Sequence, residues 1–314
     1  MAAAWGVRGD FDMSLRRFWQ SAVTELAGSL RSRRALVVLA LYIALSLLCM
    51  NGAISVLGKM EDQLADILQI SQEGGRSGVV SAALWRSAHF QRIVRSVVGD
   101  SLVYDDICGR HPVELLYAFF AFLYVPLLTI MIAANRIADD LKSGSVRYMI
   151  TRVTRLEWSL GKYAGIALLL AAGLCLGGVA AWVVAVVRVG GVDALPMLCA
   201  MRLWSLKAWM LSLAWLGMAL GVSHFFHSGA IATAVATVVM VVFGVAPKII
   251  HLICKFTDAP AALSIADRLF PSAAENGLWR ASFSPVACAS VWLLFLGLLY
   301  FSAGYAKFAR GDAR

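Results

Sequence analysis

The chain has 314 residues, 60% of them apolar and 15% charged, with a mean hydropathy of +0.75. Soluble proteins average about 45–50% apolar even with glycine counted and about 25% charged, so the composition excludes a disordered chain and argues for lipid as the solvent of the surplus. The net charge of +9, from 28 basic and 19 acidic residues, fits positive charge retained beside membrane spans, and nucleic acid is not an expected partner.

Ahead of the first apolar run, Leu15, Phe18, Trp19, Ala22, Val23, Leu26 and Leu30 recur at helical spacing, while Arg16, Arg17, Gln20, Ser21, Thr24 and Glu25 fill the other face. The pattern predicts an amphipathic helix. Its basic polar face and Trp19 direct it to the membrane interface, although packing on protein would leave the same spacing. The apolar run that follows begins only at Ala35, after Arg31, Arg33 and Arg34, and is too long for the core of a signal peptide. It reads as an uncleaved anchor.

A bilayer core takes about 20 apolar residues per helix, and the sequence predicts six spans at about 35–57, 115–135, 163–187, 203–223, 229–250 and 286–306. The fourth and fifth are divided by Val222-Ser-His-Phe-Phe-His-Ser-Gly229, which reads as a tight polar turn. The expected fold class is therefore an all-α integral membrane protein with six transmembrane helices, an N-terminal interfacial helix and a helical external loop. Residues 1–34 form a cytoplasmic N-terminus, 35–306 the transmembrane domain, 59–112 an external loop, 136–162 a cytoplasmic loop and 307–314 a cytoplasmic tail.

Charge supports that orientation. The segments assigned to the cytoplasm hold 15 basic and 7 acidic residues, against 13 and 12 in the longer remaining loops. The sharpest local contrast is Arg31, Arg33 and Arg34 before the first span against Lys59, Glu61 and Asp62 after it. The location this implies is the cell membrane, with both termini in the cytoplasm.

In the external loop, two helix-like pieces are expected at Met60–Ile70 and Val79–Val98, and short helices between His251 and Ser284, where Pro260 and Pro271 punctuate moderately apolar patches such as Ala261–Ile265. Within the spans, Gly161-x-x-x-Gly165, Gly173-x-x-x-Gly177 and Gly217-x-x-x-Gly221 permit close helix approach, with packing inside the chain favoured over a dimer seam. Pro126 is expected to kink the second span or to free a carbonyl.

Much chemistry is absent. The span interiors as drawn carry no ionisable group of the kind that ion-driven transporters retain, and no repeat with broken helices is visible. H-E-x-x-H, G-x-S-x-G and the Walker motif are missing, so no catalytic residue, metal or cofactor is expected. His224 and His227 lack a third ligand nearby and read as part of the polar turn. The six cysteines have no C-x-x-C pairing. Cys108 and Cys254 fall in segments placed outside, where a disulfide is conceivable.

The loop after the second span, Asn135 to Tyr163, is dense in polar groups yet keeps Val146, Tyr148, Met149 and Ile150 together at its centre. That pattern suits a short helix lodged in a groove of a soluble partner. Asp140, Gly144-Ser145, Tyr148-Met149-Ile150, Arg152, Thr154-Arg155 and Gly161-Lys162 follow in an order that resembles the membrane subunits (permeases) of type-2 ABC transporters. In that family an acidic residue, a Gly-Thr or Gly-Ser pair, a short apolar run, a basic turn and a Gly-Lys succeed the second span. Where the family often has a proline in the turn, this chain has Val153. Glu25 with the basic run from Arg31 to Arg34, the closing Phe308-Ala-Arg-Gly-Asp312, and Leu269-Phe-Pro271 with Glu275-Asn-Gly-Leu278 extend the likeness along the chain.

The resemblance implies a permease, mainly of exporters, that pairs with a second permease chain and with cytoplasmic ABC ATPase subunits while carrying no ATPase itself. It places ATPase coupling on Asp140, Gly144, Ser145, Val146, Arg147, Tyr148, Met149, Arg152 and Arg155. Val146, Tyr148 and Met149 would be apolar anchors, and Arg147, Arg152 and Arg155 would make charge-assisted bonds at the rim. Membrane lipid and a transported substrate of unknown identity are the other partners. Two further classes stay open: a membrane-embedded enzyme, built on His224 with His227 or His111 with Glu114, and a non-transporting sensor or scaffold using the external loop.

Overall fold

A computed structural model describes residues 14–68, 91–92, 101–108, 110–189, 193–257 and 268–310. They form helices α1 (Leu15–Arg31), α2 (Arg33–Leu68), α3 (Ser101–Ile107), α4 (Pro112–Ala133), α5 (Arg136–Ser143), α6 (Ser145–Ile150), α7 (Arg155–Arg188), α8 (Ala194–Ser223), α9 (Gly229–Thr257), α10 (Pro271–Trp279) and α11 (Phe283–Arg310). No strand occurs among the described residues. Among the described residues six stretches are long and apolar enough to cross a bilayer: Arg33–Lys59, Pro112–Ser143, Arg155–Arg188, Ala194–Ser223, Gly229–Pro247 and Phe283–Arg310.

These agree in number and order with the spans read from sequence, but the third and fourth start earlier, the third at Arg155 rather than near 163. Helix α8 begins at Ala194 rather than near 203, so Lys207 lies well inside it and is 4% exposed. The charge-free rule placed the boundary beside Arg202 and Lys207. The bundle keeps the cation by giving Lys207 the Arg280 carbonyl at 3.0 Å and the Trp204 ring at 4.3 Å. The first piece expected in the external loop is no separate element, since α2 runs unbroken through Met60 to Leu68. The second, Val79–Val98, lies outside the described residues apart from 91–92, as does Ala261–Ile265. Cys108 is a free, exposed thiol, and the side chain of Cys254 lies outside the described set.

Helix α8 is the axis of the bundle. In its most apolar stretch 78% of residues are buried, against 17% in α9, and it packs on α4, α7 and α11. The three glycine pairs explain how the helices approach so closely. A Cβ on Gly217 would strike the Gly297 backbone of α11, and one on Gly221 would strike the Tyr300 carbonyl. Gly173 and Gly177 of α7 admit Leu39 and Tyr42 of α2, while Gly161 and Gly165 admit Ser21, Ala22 and Glu25 of α1. Each pair is thus filled within the chain. Helix α4 continues on both sides of Pro126.

A single extended residue, Ser32 (φ −74°, ψ 116°), turns the chain from α1 into α2. Ala22 of α1 is fully buried on α7, whereas Leu15, Trp19, Val23 and Leu30 stay exposed. Half of the apolar stripe therefore packs on protein and half is left for another apolar phase.

Candidate functional site

The chain between α4 and α7 folds into two short helices at one end of the bundle. Helix α5 stops at Gly144, whose φ of 72° is left-handed and whose N–H donates to the Leu141 carbonyl. A side chain in that conformation is strained, so Gly is the residue that lets α6 start at once in a new direction. The Ser143 and Ser145 hydroxyls both donate to the Asp140 carbonyl, at 3.1 and 3.3 Å, which ties the corner together.

After α6 the chain turns through 151–153 and enters α7 by a reciprocal cap. The Glu157 N–H donates to Thr154 Oγ1 at 3.2 Å, and Glu157 Oε2 accepts the Thr154 N–H at 2.9 Å. Glu157 Oε1 also accepts the Ser14 N–H at 2.7 Å, so the start of α1 is fastened to the start of α7. The Thr-x-x-Glu spacing announces this cap in the sequence, although Thr154 was read only as part of a basic turn.

Lys162, one turn and a half further along α7, is 5% exposed. Its Nζ donates to Glu25 Oε2 of α1 and to Asp140 Oδ2 of α5, each at 2.7 Å, and lies 5.2 Å from the Trp158 ring centroid. One cation thus joins the amphipathic helix, the loop helix and a crossing helix. A buried cation is costly unless paired and hydrogen-bonded, and two carboxylates meet that requirement. Gly161 beside it has no Cβ, which is what lets α1 come near enough for Glu25 to reach.

The residues expected to face a partner separate into two groups. Tyr148 is 82% and Met149 46% exposed, and Arg147 and Arg152 are exposed as well. Val146, expected as an anchor for a partner, is 3% exposed and belongs to the chain's own core. Arg155 does not sit at a free rim either. Its guanidinium donates to the Ala309 carbonyl at 3.1 Å and lies over the Phe308 ring, which holds the C-terminal end of α11 against this site. Six residues are too few for helical periodicity to tell the buried side of α6 from the open one.

His224 is likewise buried. Its Nδ1 is 2.7 Å from the Leu220 carbonyl, an acceptor, so Nδ1 carries the hydrogen and Nε2 accepts from the Ser159 hydroxyl at 2.8 Å. Burial pushes its imidazole down to about 4. His227 is exposed, and among the described residues no group of three metal-ligating side chains forms.

The other end of the bundle carries a second polar cluster. Arg110 pairs with Glu114 at 2.8 Å, Trp204 Nε1 donates to the same carboxylate at 2.8 Å, and Arg280 pairs with Asp106 at 2.5 Å. This cluster clamps α3, α4, α8 and α10. Arg280 lowers the Asp106 carboxyl below its ordinary value, while burial lowers His111. His111 caps α4, its ring nitrogen accepting the Val113 N–H, so His111 and Glu114 are already occupied in structural contacts.

A family model described as ABC-2 family transporter protein matches residues 19–270 of the chain. No curated protein matches it.

Proposed function

The chain belongs to the ABC-2 transporter family and is a membrane permease, not itself catalytic, and from that premise we propose that it works as the permease subunit of an ATP-driven exporter in the cell membrane. Both termini, α5 and α6 lie in the cytoplasm, where Tyr148 and Met149 seat in a groove of an ABC ATPase subunit and Arg147 and Arg152 make charge-assisted bonds around them. A second permease chain completes the translocation path, and the ATPase pair supplies the energy.

The observation that carries this reading is the joint at Lys162. An element pushed from the cytoplasm moves a span only when it is connected to one. Asp140 on α5 is bonded to Lys162 on α7, and Arg155 at the start of α7 is bonded to the end of α11. Closure of the ATPase pair displaces α6, and the displacement passes through α5 and the Lys162 joint to α1, α7 and α11 as a rigid-body shift. The partner is tested by gentle solubilisation of the tagged chain and mass-spectrometric identification of what co-purifies in stoichiometric amount. A soluble chain with Walker A and ABC signature motifs is expected. Recovery of the chain alone across several mild detergents contradicts the proposal.

A further inference from the structure

Beside the Lys162 joint lies a groove of about 1260 Å³. It is enclosed by α1, the first turn of α2, the end of α4, α5, α6 and the turn into α7. That volume exceeds the roughly 300–1,000 Å³ of a small-molecule pocket. Its lining holds six cations, Arg17, Arg33, Arg34, Arg136, Arg152 and Lys162, against three carboxylates, Glu25, Asp139 and Asp140.

The carboxylates are already engaged. Glu25 and Asp140 share Lys162, and Asp139 takes the Asn135 amide at 3.0 Å and Arg34 at 3.9 Å. No described carboxylate lies within ion-pair distance of Arg33 or Arg136, which come from α2 and α5 and converge on one groove. Arginine's fixed fork of donors matches phosphate oxygens bidentately. The uncharged lining mixes hydrogen-bonding side chains, among them Gln20, Thr24 and Asn135, with an apolar set of Trp19, Val23, Met131, Ile132 and Val153, so the same groove that attracts a phosphate also offers hydrocarbon a surface.

We propose that this groove binds the phosphate headgroup and upper acyl chains of an anionic phospholipid from the membrane. The occupant is argued from charge and from position. Arg33 and Arg34 open the first crossing helix, where the chain enters the bilayer, and basic residues at that level meet anionic headgroups. The exposed Trp19 stands on the helix that covers the groove, and indole rings favour headgroup depth. A lipid here touches α1, α5 and α6 together and braces the joint from its open side. The inference rests on the chain being a membrane protein and not on ATPase coupling, and lipid retention is read without ATP turnover, so the two proposals fail separately.

The test uses the full-length chain purified in mild detergent, with phosphatidylglycerol and phosphatidylcholine as probes, read by native mass spectrometry and by the thermal midpoint. The wild-type chain is expected to retain phosphatidylglycerol about tenfold better and to be stabilised by it alone. Arg33→Gln with Arg136→Gln removes that preference. Arg16→Gln with Arg31→Gln removes the same charge outside the groove and keeps it. Equal retention and stabilisation by both lipids in the wild-type chain overturns the site without requiring any variant to fold, and equal loss in both double variants overturns it as mere surface charge. Displacement of the lipid by millimolar inorganic phosphate assigns the groove to a soluble anion, and expulsion of the lipid when an ATPase subunit binds assigns it to protein. Either result overturns the lipid as occupant.

Discussion

Two lysines among the described residues, Lys162 and Lys207, are buried and are satisfied in different ways. Lys162 meets two carboxylates carried by α1 and α5, outside the helix that holds the lysine. Among the described residues, Lys207 has the Arg280 carbonyl and the face of Trp204 as direct partners, and it sits in a wall of aromatic rings with Trp279 and Phe122 around that indole. Ion pairs hold Lys162 itself, whereas a carbonyl and ring packing hold Lys207 beside the separate Arg110–Glu114 and Arg280–Asp106 pairs. Ion pairs survive a rigid shift of short helices if the partners move together, whereas interlocked rings resist it. Under the proposed coupling role, the α5–α6 end is the one that transmits motion and the α3–α10 end the one that stays fixed.

That contrast is most easily broken by removing each cation in turn. Lys162→Met leaves Glu25 and Asp140 facing each other across a buried site, and breaking a buried pair on one side costs about 3–5 kcal/mol. A correspondingly large drop in the thermal midpoint of the purified chain is expected. Gly217→Leu tests the axis common to both ends. Its side chain enters the Gly297 backbone of α11, and overpacking of this kind costs about 1–3 kcal/mol, read by thermal unfolding or by loss of a monodisperse peak in gel filtration.

Lys207→Met should be milder, under about 1.5 kcal/mol, because it conserves volume and strands no carboxylate. Glu114 retains Arg110 and Trp204. A larger loss for Lys207→Met than for Lys162→Met would reverse the assignment of the two ends.

Acid sharpens the comparison by the smallest margin. The His224 ring is held near 4, below the ordinary 6.5, so the unfolded chain takes up the proton first. Stability from the neutral buried ring is complete above 6.5 and declines as pH falls toward 4. Asp106 is held below 3.8 by Arg280, and its contribution is complete above 3.8 and is lost only as pH falls below that value. Thermal midpoints between pH 6.5 and 4 should therefore slope less in His224→Gln than in the wild-type chain, while Asp106→Asn leaves that slope unchanged.

The six crossing helices were legible because stretches free of Asp, Glu, Lys and Arg mark them directly, and the glycine pairs were legible because their spacing names a helix face. The start of α8 was hidden by Arg202 and Lys207, since a charge inside a span is tolerated only through a partner that sequence does not identify. Lys162 shows the same limit. It was visible as a Gly-Lys pair, but its partners lie 137 and 22 positions away and share no period with it. Gly144 is visible only as half of a Gly-Ser pair, and the inward side of α6 is not legible in six residues, so the burial of Val146 is not legible either. The Thr154–Glu157 cap was present as a motif and is the part of the site that a closer reading of spacing would have recovered.

Coupling through α6 is tested most directly by the ATPase activity of the purified complex carrying Tyr148→Asp with Met149→Asp. Both side chains are exposed, so the variant should insert and fold as the wild-type chain does. Loss of permease-dependent ATPase activity, with the membrane level of the chain unchanged, is the predicted result. Wild-type activity in that variant would contradict the coupling role of α6.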